Sequence, residues 1–232
     1  MRLVVASGKG GTGKTTVATS LALSLAATAP AGTPPPLFLD CDVEAPDADI
    51  FLRPAWERRE EAGVPVPVVN LDLCTRCGAC SDACQFHAIL LLGQTVLVMP
   101  QLCHGCGSCT NVCPAGAIRE EMRPLGMLEA GTAAGGIAFA RGILNIGEAI
   151  AVPLIRQLKR WSPAAAGQPA ILDAPPGTTC PVVETARGAD FLLLVTEPTP
   201  FGLHDLRLAV AVGRELGLPA GVIINRDGIG DA

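Results

Sequence analysis

Eight residues near the start of the chain, Lys9-Gly10-Gly11-Thr12-Gly13-Lys14-Thr15-Thr16, constrain its fold more than any other stretch. Only 3 lysines occur among 17 basic residues, and two of them flank these glycines. A flexible ammonium suits a phosphate held in a tight loop, where a planar guanidinium does not. A short apolar run, Leu3 to Ala6, precedes the loop, and a helix-like segment, Val17 to Ala27, follows it. Strand, glycine loop and helix together make the context of a P-loop. Its backbone N–H groups and helix N-terminus cradle phosphates while a hydroxyl reaches Mg²⁺. In that context a glycine turn that binds nothing is the weaker reading, and the chain is expected to bind a nucleotide.

The 232 residues suffice for one large domain plus a small module. Apolar residues make up 49% of the chain, so core material is ample; aromatics are only 3%, so that core is aliphatic. The formal charge is -5 and the nearest approach to a basic run is Lys159-Arg160. Nucleic acid is therefore not an expected partner. Only four apolar residues separate Arg2 from the glycine loop, too few for a secretory signal. The apolar stretch Ala138 to Ile155 is interrupted by Arg141, Asn145, Glu148 and Pro153, at a density too costly in lipid. The chain reads as soluble and cytoplasmic, without a membrane partner.

Alternating elements predict an α/β fold, a doubly wound, mostly parallel sheet with helices on both faces. The pattern runs strand 3–6, helix 15–28 and strand 37–40. After a break it resumes with helix 147–161, strands 170–173 and 190–196, helix 202–216 and strand 220–225. A polar, proline-containing stretch, Arg53 to Pro67, leads into the cysteine region. The glycine-rich segment Gly126 to Asn145 reads as a connecting hairpin. The expected organisation is a nucleotide domain over 1–67 and 125–232, opened by an inserted module over 68–124.

That insertion is an internal repeat. Cys74, Cys77, Cys80 and Cys84 recur 29 residues later as Cys103, Cys106, Cys109 and Cys113, and Gly78, Ala88 and Ile89 recur as Gly107, Ala117 and Ile118. Eight of 10 cysteines thus stand in metal-ligand spacing, which argues against disulfides. The C-x2-C-x2-C-x3-C run, present twice, resembles the bacterial two-cluster ferredoxin. That resemblance implies two [4Fe-4S] clusters, one on Cys74, Cys77, Cys80 and Cys113, the other on Cys103, Cys106, Cys109 and Cys84. Zinc is the weaker alternative, since zinc knuckles use two ligand pairs. The proline expected after the fourth cysteine is present as Pro114 but replaced by Gln85 in the first half, which restores an N–H beside a cluster and could separate the two potentials. His87 and His104 read as packing or surface residues.

Two lysines flanking the glycines resemble the deviant Walker A of the MinD/ParA/Mrp and nitrogenase iron protein group. With the cysteine insert, the whole chain resembles MinD-superfamily P-loop ATPases containing an inserted ferredoxin domain. The resemblance implies ATP or ADP with Mg²⁺, and roles for individual residues. Gly10, Gly11, Thr12 and Gly13 would wrap the phosphates, Lys14 would contact the β- and γ-phosphates, Thr15 would ligate Mg²⁺ and Thr16 would touch the α-phosphate. Lys9 would reach a second subunit's phosphates, which implies an ATP-dependent homodimer or a heterodimer with a related ATPase. In Leu39-Asp40-Cys41-Asp42, Asp42 would position the attacking water with Asp40 near the metal. In Ile171-Leu172-Asp173-Ala174-Pro175-Pro176-Gly177, Asp173 would join the Mg²⁺ shell and Gly177 would allow the loop to bend. Asn225 would recognise adenine. Where the resemblance implies a further strand and helix, the chain ends Gly228-Ile229-Gly230-Asp231-Ala232.

Cys41 reads as a small buried hydrophobe. Cys180, seven residues after Asp173, sits where the nitrogenase iron protein carries a cluster cysteine, and is a candidate redox-linked or intersubunit ligand. Three functional classes follow from the resemblance. The favoured one is an ATPase whose nucleotide state is coupled to electron transfer or docking of a redox or iron–sulfur protein partner. The alternatives are an iron–sulfur cluster carrier of Mrp type and a MinD-like positioning switch with redox-sensing clusters.

Overall fold

The apolar runs around Val4, Phe38, Ile171 and Leu194 are four to six residues long and buried, as inner strands of a parallel sheet must be. The computed structural model describes residues 1–30 and 32–228. In chain order its elements are β1 (Arg2–Ala6), α1 (Lys14–Thr28), β2 (Leu37–Asp40), α2 (Ala48–Leu52), β3 (Ala55–Val69), α3 (Ala79–Ala83), β4 (Ile89–Leu92), β5 (Thr95–Val98) and α4 (Ser108–Asn111). Then come β6 (Ile118–Thr132), β7 (Ala138–Leu144), α5 (Val152–Trp161), β8 (Ala170–Asp173), α6 (Cys180–Ala186), β9 (Phe191–Thr196), α7 (Pro200–Glu215) and β10 (Ala220–Ile224).

Eight strands form one sheet in the order β10-β9-β1-β8-β2-β7-β6-β3. The first six run parallel, whereas β6 and β3 pair antiparallel at the end. Because side chains alternate along a strand, the sheet buries two faces. Leu3, Val5, Phe38 and Ile171 pack against Ala18 and Ala22 of α1 and Leu52 of α2. Val4, Leu39, Leu172 and Leu194 pack against Leu154, Ile155 and Leu158 of α5, Val182 of α6 and Ala209 of α7. The register sets Asp40 opposite Asp173, so both acids lie at the carboxyl edge beside the loop that follows β1. That edge is where ligands meet doubly wound sheets.

Residues 53–67, read from the sequence as a polar lead into the cysteine region, supply most of the 15-residue strand β3. Ala62, Val64 and Val66 are buried at period two, while Pro65 and Pro67 share one parity. Proline lacks the ladder donor and is tolerated on an edge strand, and β3 closes the sheet at this end. The β3–β6 ribbon runs from Ala55↔Thr132 to Val69↔Ile118, carrying the sheet continuously into the cysteine-rich region. Gly126 to Asn145 supplies the β6–β7 pairing, from Gly126↔Leu144 to Thr132↔Ala138. The helix expected over 147–161 starts at Val152, with Pro153 in its first turn where a missing N–H costs nothing. The short helices α2 and α6 were not expected. Among the described residues no helix is long and apolar enough to cross a membrane. The expectation about the final residues, from Ile229 onward, lies outside the described residues.

Candidate functional site

The glycine loop between β1 and α1 wraps a cavity of about 250 Å³ lined by Ser7, Gly10, Gly11, Gly13, Lys14, Thr15, Thr16, Asp42, Asp47, Phe51, Pro176 and Arg226. Gly13 caps α1 at φ 86°, a left-handed conformation natural to glycine, and a Cβ there would lie 2.3 Å from Asn225 Nδ2. Lys14, the first residue of α1, donates from Nζ to Asp173 Oδ1 at 2.6 Å, with both side chains almost wholly buried. Asp173 Oδ2 and Thr12 Oγ1 are buried without a hydrogen-bond partner.

Acids outnumber cations at this edge. Burial and the Asp173 carboxylate push Asp40 up to about 8. Burial pushes Asp42 up to about 6 against the pull of Lys14. Asp173 is raised too, by burial, and Lys14 offsets only part of that. Three carboxyls share one ammonium, and one carboxylate oxygen has nothing to bond. The free Asp173 oxygen and the Asp42 carboxyl at the cavity fit a hard divalent cation, which favours oxygen ligands and would lower the pKa of acids beside it.

Three of the expected site residues, Asp40, Lys9 and Asn225, are engaged by other groups of this chain. Asp40 does not line the cavity. Its Oδ1 accepts from the N–H of Asp42 at 3.1 Å and its Oδ2 from the N–H of Ala48 at 3.1 Å, so both oxygens shape the loop that carries Asp42 and Asp47 to the cavity. Lys9 also lies off the cavity lining and pairs with Glu197 of the same chain, which further accepts from Arg226 at 3.3 Å. Asn225 donates from Nδ2 to the carbonyl of Thr12 at 2.8 Å and accepts at Oδ1 from the N–H of Arg226 at 2.9 Å. One of its two N–H donors thus ties the end of strand β10 to the glycine loop. Cys180 is exposed at the start of α6, whereas Cys41 is fully buried and its thiol pushed up by burial, as a small core residue. Gly177 adopts φ 94° and donates its N–H to Ser7 O at 2.9 Å.

Glu197, Arg226, Asp47 and Phe51 were not singled out by the sequence. Glu197 has no motif around it. Arg226 was signalled only by adjacency to Asn225.

The eight repeat cysteines close into two tetrads by exchange between the halves. Cys74, Cys77, Cys80 and Cys113 line one cavity with Val69, Arg76, Leu91, Val96 and Ile118. Cys84, Cys103, Cys106 and Cys109 line the other with Pro65, Pro67, Phe86, Ile89, His104 and Glu120. All ten cysteines are unpaired thiols. Gly78 at φ 81° and Gly107 at φ 74° open α3 and α4, which is why glycine repeats at those positions. N–H groups aim at the sulfurs, from Ala88 to Cys84 Sγ and from Ala117 to Cys113 Sγ at 3.3 Å each, and from Gly105 to Cys103 Sγ at 3.4 Å. The N–H of Ala79 and the Thr75 hydroxyl lower the Cys77 thiol, and the Ser108 hydroxyl lowers Cys106. Burial raises Cys80, Cys103 and Cys109. Among the described residues no three Cys, His, Asp or Glu groups converge closely enough to chelate one ion. The tetrads instead surround spaces, with N–H donors toward sulfur, and this fits a sulfur-bridged cluster better than zinc. His87 lines neither cavity, and His104 stacks on Phe86 at 3.8 Å between centroids.

Residues 67–90 and 96–119 each match the family of 4Fe-4S binding domains. Over 209 residues the chain is 33% identical to the Methanocaldococcus jannaschii protein MJ0578, covering 90% of this chain and 72% of that one. It is 29% identical to MJ0579 of the same organism over 238 residues, covering 100% of this chain and 82% of the relative. The septum site-determining protein MinD of Pyrococcus horikoshii, solved with Mg-ADP, superposes with a TM-score of 0.54 at 18% identity, over 99% of this chain and 72% of that one. The chain belongs to the same family as MJ0578, and its fold is that of the MinD/ParA-type P-loop ATPases with a 4Fe-4S ferredoxin module set into it.

Proposed function

We propose that this protein binds and hydrolyses MgATP and that its nucleotide state is coupled to electron transfer, or to docking of a redox partner, through two [4Fe-4S] clusters. The observation that carries this reading is the closure of eight thiols into two exchanged tetrads on a ribbon continuous with the sheet that bears the glycine loop. Clusters held by these tetrads would supply reversible one-electron transfer.

This chain's own residues support the nucleotide half. The N–H groups of Gly10 to Thr16 and the N-terminus of α1 offer positive potential to phosphates. Lys14 is already poised on Asp173 and would exchange that carboxylate for phosphate oxygens. Asp173, left with two free oxygens, and Thr15 would hold Mg²⁺. Asp42 lines the cavity at a pKa of about 6, so it is mostly ionised at neutral pH and able to accept a proton from water. Lys9 would serve in trans once free of Glu197, in a homodimer or a heterodimer with a related chain. MinD, whose fold this chain shares, was solved with Mg-ADP, which supports the same ligand here.

Lys14→Ala tests the assignment. Hydrolysis should fall to background while iron content stays at wild-type level. Turnover retained in that variant would remove the mechanism.

A further inference from the structure

The two tetrads differ in what surrounds them. Along the β3–β6 ribbon, Pro65 and Pro67 stand nearer the main sheet than Val69 does. The tetrad of Cys84, Cys103, Cys106 and Cys109, lined by those prolines, is therefore the inner one, and the tetrad lined by Val69 and Ile118 is the outer. Cys103 packs against the core of the nucleotide domain. A Cβ on Gly105 would come 2.8 Å from Pro65 Cδ, so loop and strand are in close contact. The outer tetrad is lined only by residues 69–118.

A contiguous set of contacts joins the inner tetrad to the loop after Asp173. That loop bends at Gly177 and ends at Cys180, where α6 begins. Glu184 on α6 accepts two bonds from Arg156 on α5, at 3.2 and 2.9 Å. The next residue, Gln157, donates from Nε2 to Gly63 O at 2.9 Å, at the irregularity in β3 two residues before Pro65. His104 and its stacked partner Phe86 both line the inner tetrad. When phosphate takes Lys14 and a cation takes Asp173, the 174–179 segment is re-set at its start. The short α6 can pass that displacement only to what it touches, and α5 is packed against it.

We propose that the inner tetrad alone senses the nucleotide state, and that Arg156 and Gln157 are the positioning residues that carry the change from α6 to β3. This rests on the coupling proposed above. By linkage, any shift that nucleotide causes in a cluster must appear equally as a redox dependence of nucleotide affinity.

The experiment uses the full, iron-loaded protein under anaerobic conditions. Cys77→Ser and Cys106→Ser assign the outer and inner signals in electron paramagnetic resonance. Wild type, Arg156→Gln and Gln157→Leu are then titrated potentiometrically with and without MgATP. In parallel, MgADP affinity is measured in oxidised and reduced protein. The expected result is a nucleotide-dependent shift confined to the inner signal. In either variant the ratio of oxidised to reduced affinity should shrink by a factor of roughly 2 to 30, with iron content unchanged. A shift in the outer signal, or one that survives both substitutions, would overturn the inference while leaving coupling intact. No shift in wild type would overturn the coupling and this inference with it.

Discussion

Replacing Asp40 with asparagine should change how stability depends on pH, in a direction opposite to that of ordinary acid denaturation. In the folded protein, burial beside Asp173 raises Asp40 to about 8. An unfolded aspartate titrates near 3.9. Between those values the folded protein keeps a proton that the unfolded chain has released. Stability is therefore greatest below the unfolded value and is lost as pH rises through this window, at up to about 1.4 kcal/mol per pH unit. The full window sets a ceiling of about 6 kcal/mol. Asparagine cannot ionise, so it escapes this loss. It also keeps only one acceptor, and either Asp42 N–H or Ala48 N–H loses its bond, at about 1–3 kcal/mol. Asp40→Asn should thus be less stable than wild type by about 1–3 kcal/mol at low pH, and the deficit should vanish or reverse at mildly alkaline pH. The assay is urea unfolding of iron-loaded protein without nucleotide or added Mg²⁺, followed by circular dichroism across that pH range. Parallel stability curves for the two proteins would mean that Asp40 is ionised throughout and that burial does not hold its proton.

Other outcomes follow from the same geometry. Glu197→Gln removes the carboxylate that pairs with Lys9 and Arg226, so MgADP should bind about 2- to 10-fold more tightly, as read by calorimetry. Equal or weaker binding would show that Glu197 does not compete with phosphate. Cys77→Ser and Cys106→Ser should each lose one cluster, lowering iron from about eight per chain to about half, whereas Cys180→Ser should leave it unchanged. Iron analysis decides this, and loss in Cys180→Ser would restore that residue as a ligand. Gly78→Ala should destabilise the outer cluster site by about 1 kcal/mol through its left-handed φ of 81°, seen as faster iron loss to a chelator.

What the sequence disclosed were the features whose chemistry is written in local spacing. The glycine loop, the two carboxylates at strand ends and the cysteine repeat all depend on residues a few positions apart. The exchanged tetrads were legible only through the ferredoxin resemblance, since no local spacing pairs Cys113 with Cys74. Strand β3 was hidden because Pro65 and Pro67 signal a break, and their tolerance depends on an open edge that only the topology creates. The short α2 and α6 carry too few residues for a helical period to show. Glu197 could not be found because its meaning lies in two cations, Lys9 and Arg226, at distant positions in the chain. Asp40 was placed near the metal by the family resemblance, which carries no information about its backbone contacts. Its two backbone donors, from Asp42 and Ala48, appear only when the loop is folded.

In the proposed function the nucleotide domain and the ferredoxin module act on one another. The most direct test is an anaerobic potentiometric titration of the iron-loaded protein, followed by electron paramagnetic resonance with and without MgATP. Nucleotide should shift the midpoint or line shape of a cluster signal. Two cluster signals unmoved by saturating MgATP, in protein that demonstrably binds it, would mean that the two parts do not communicate.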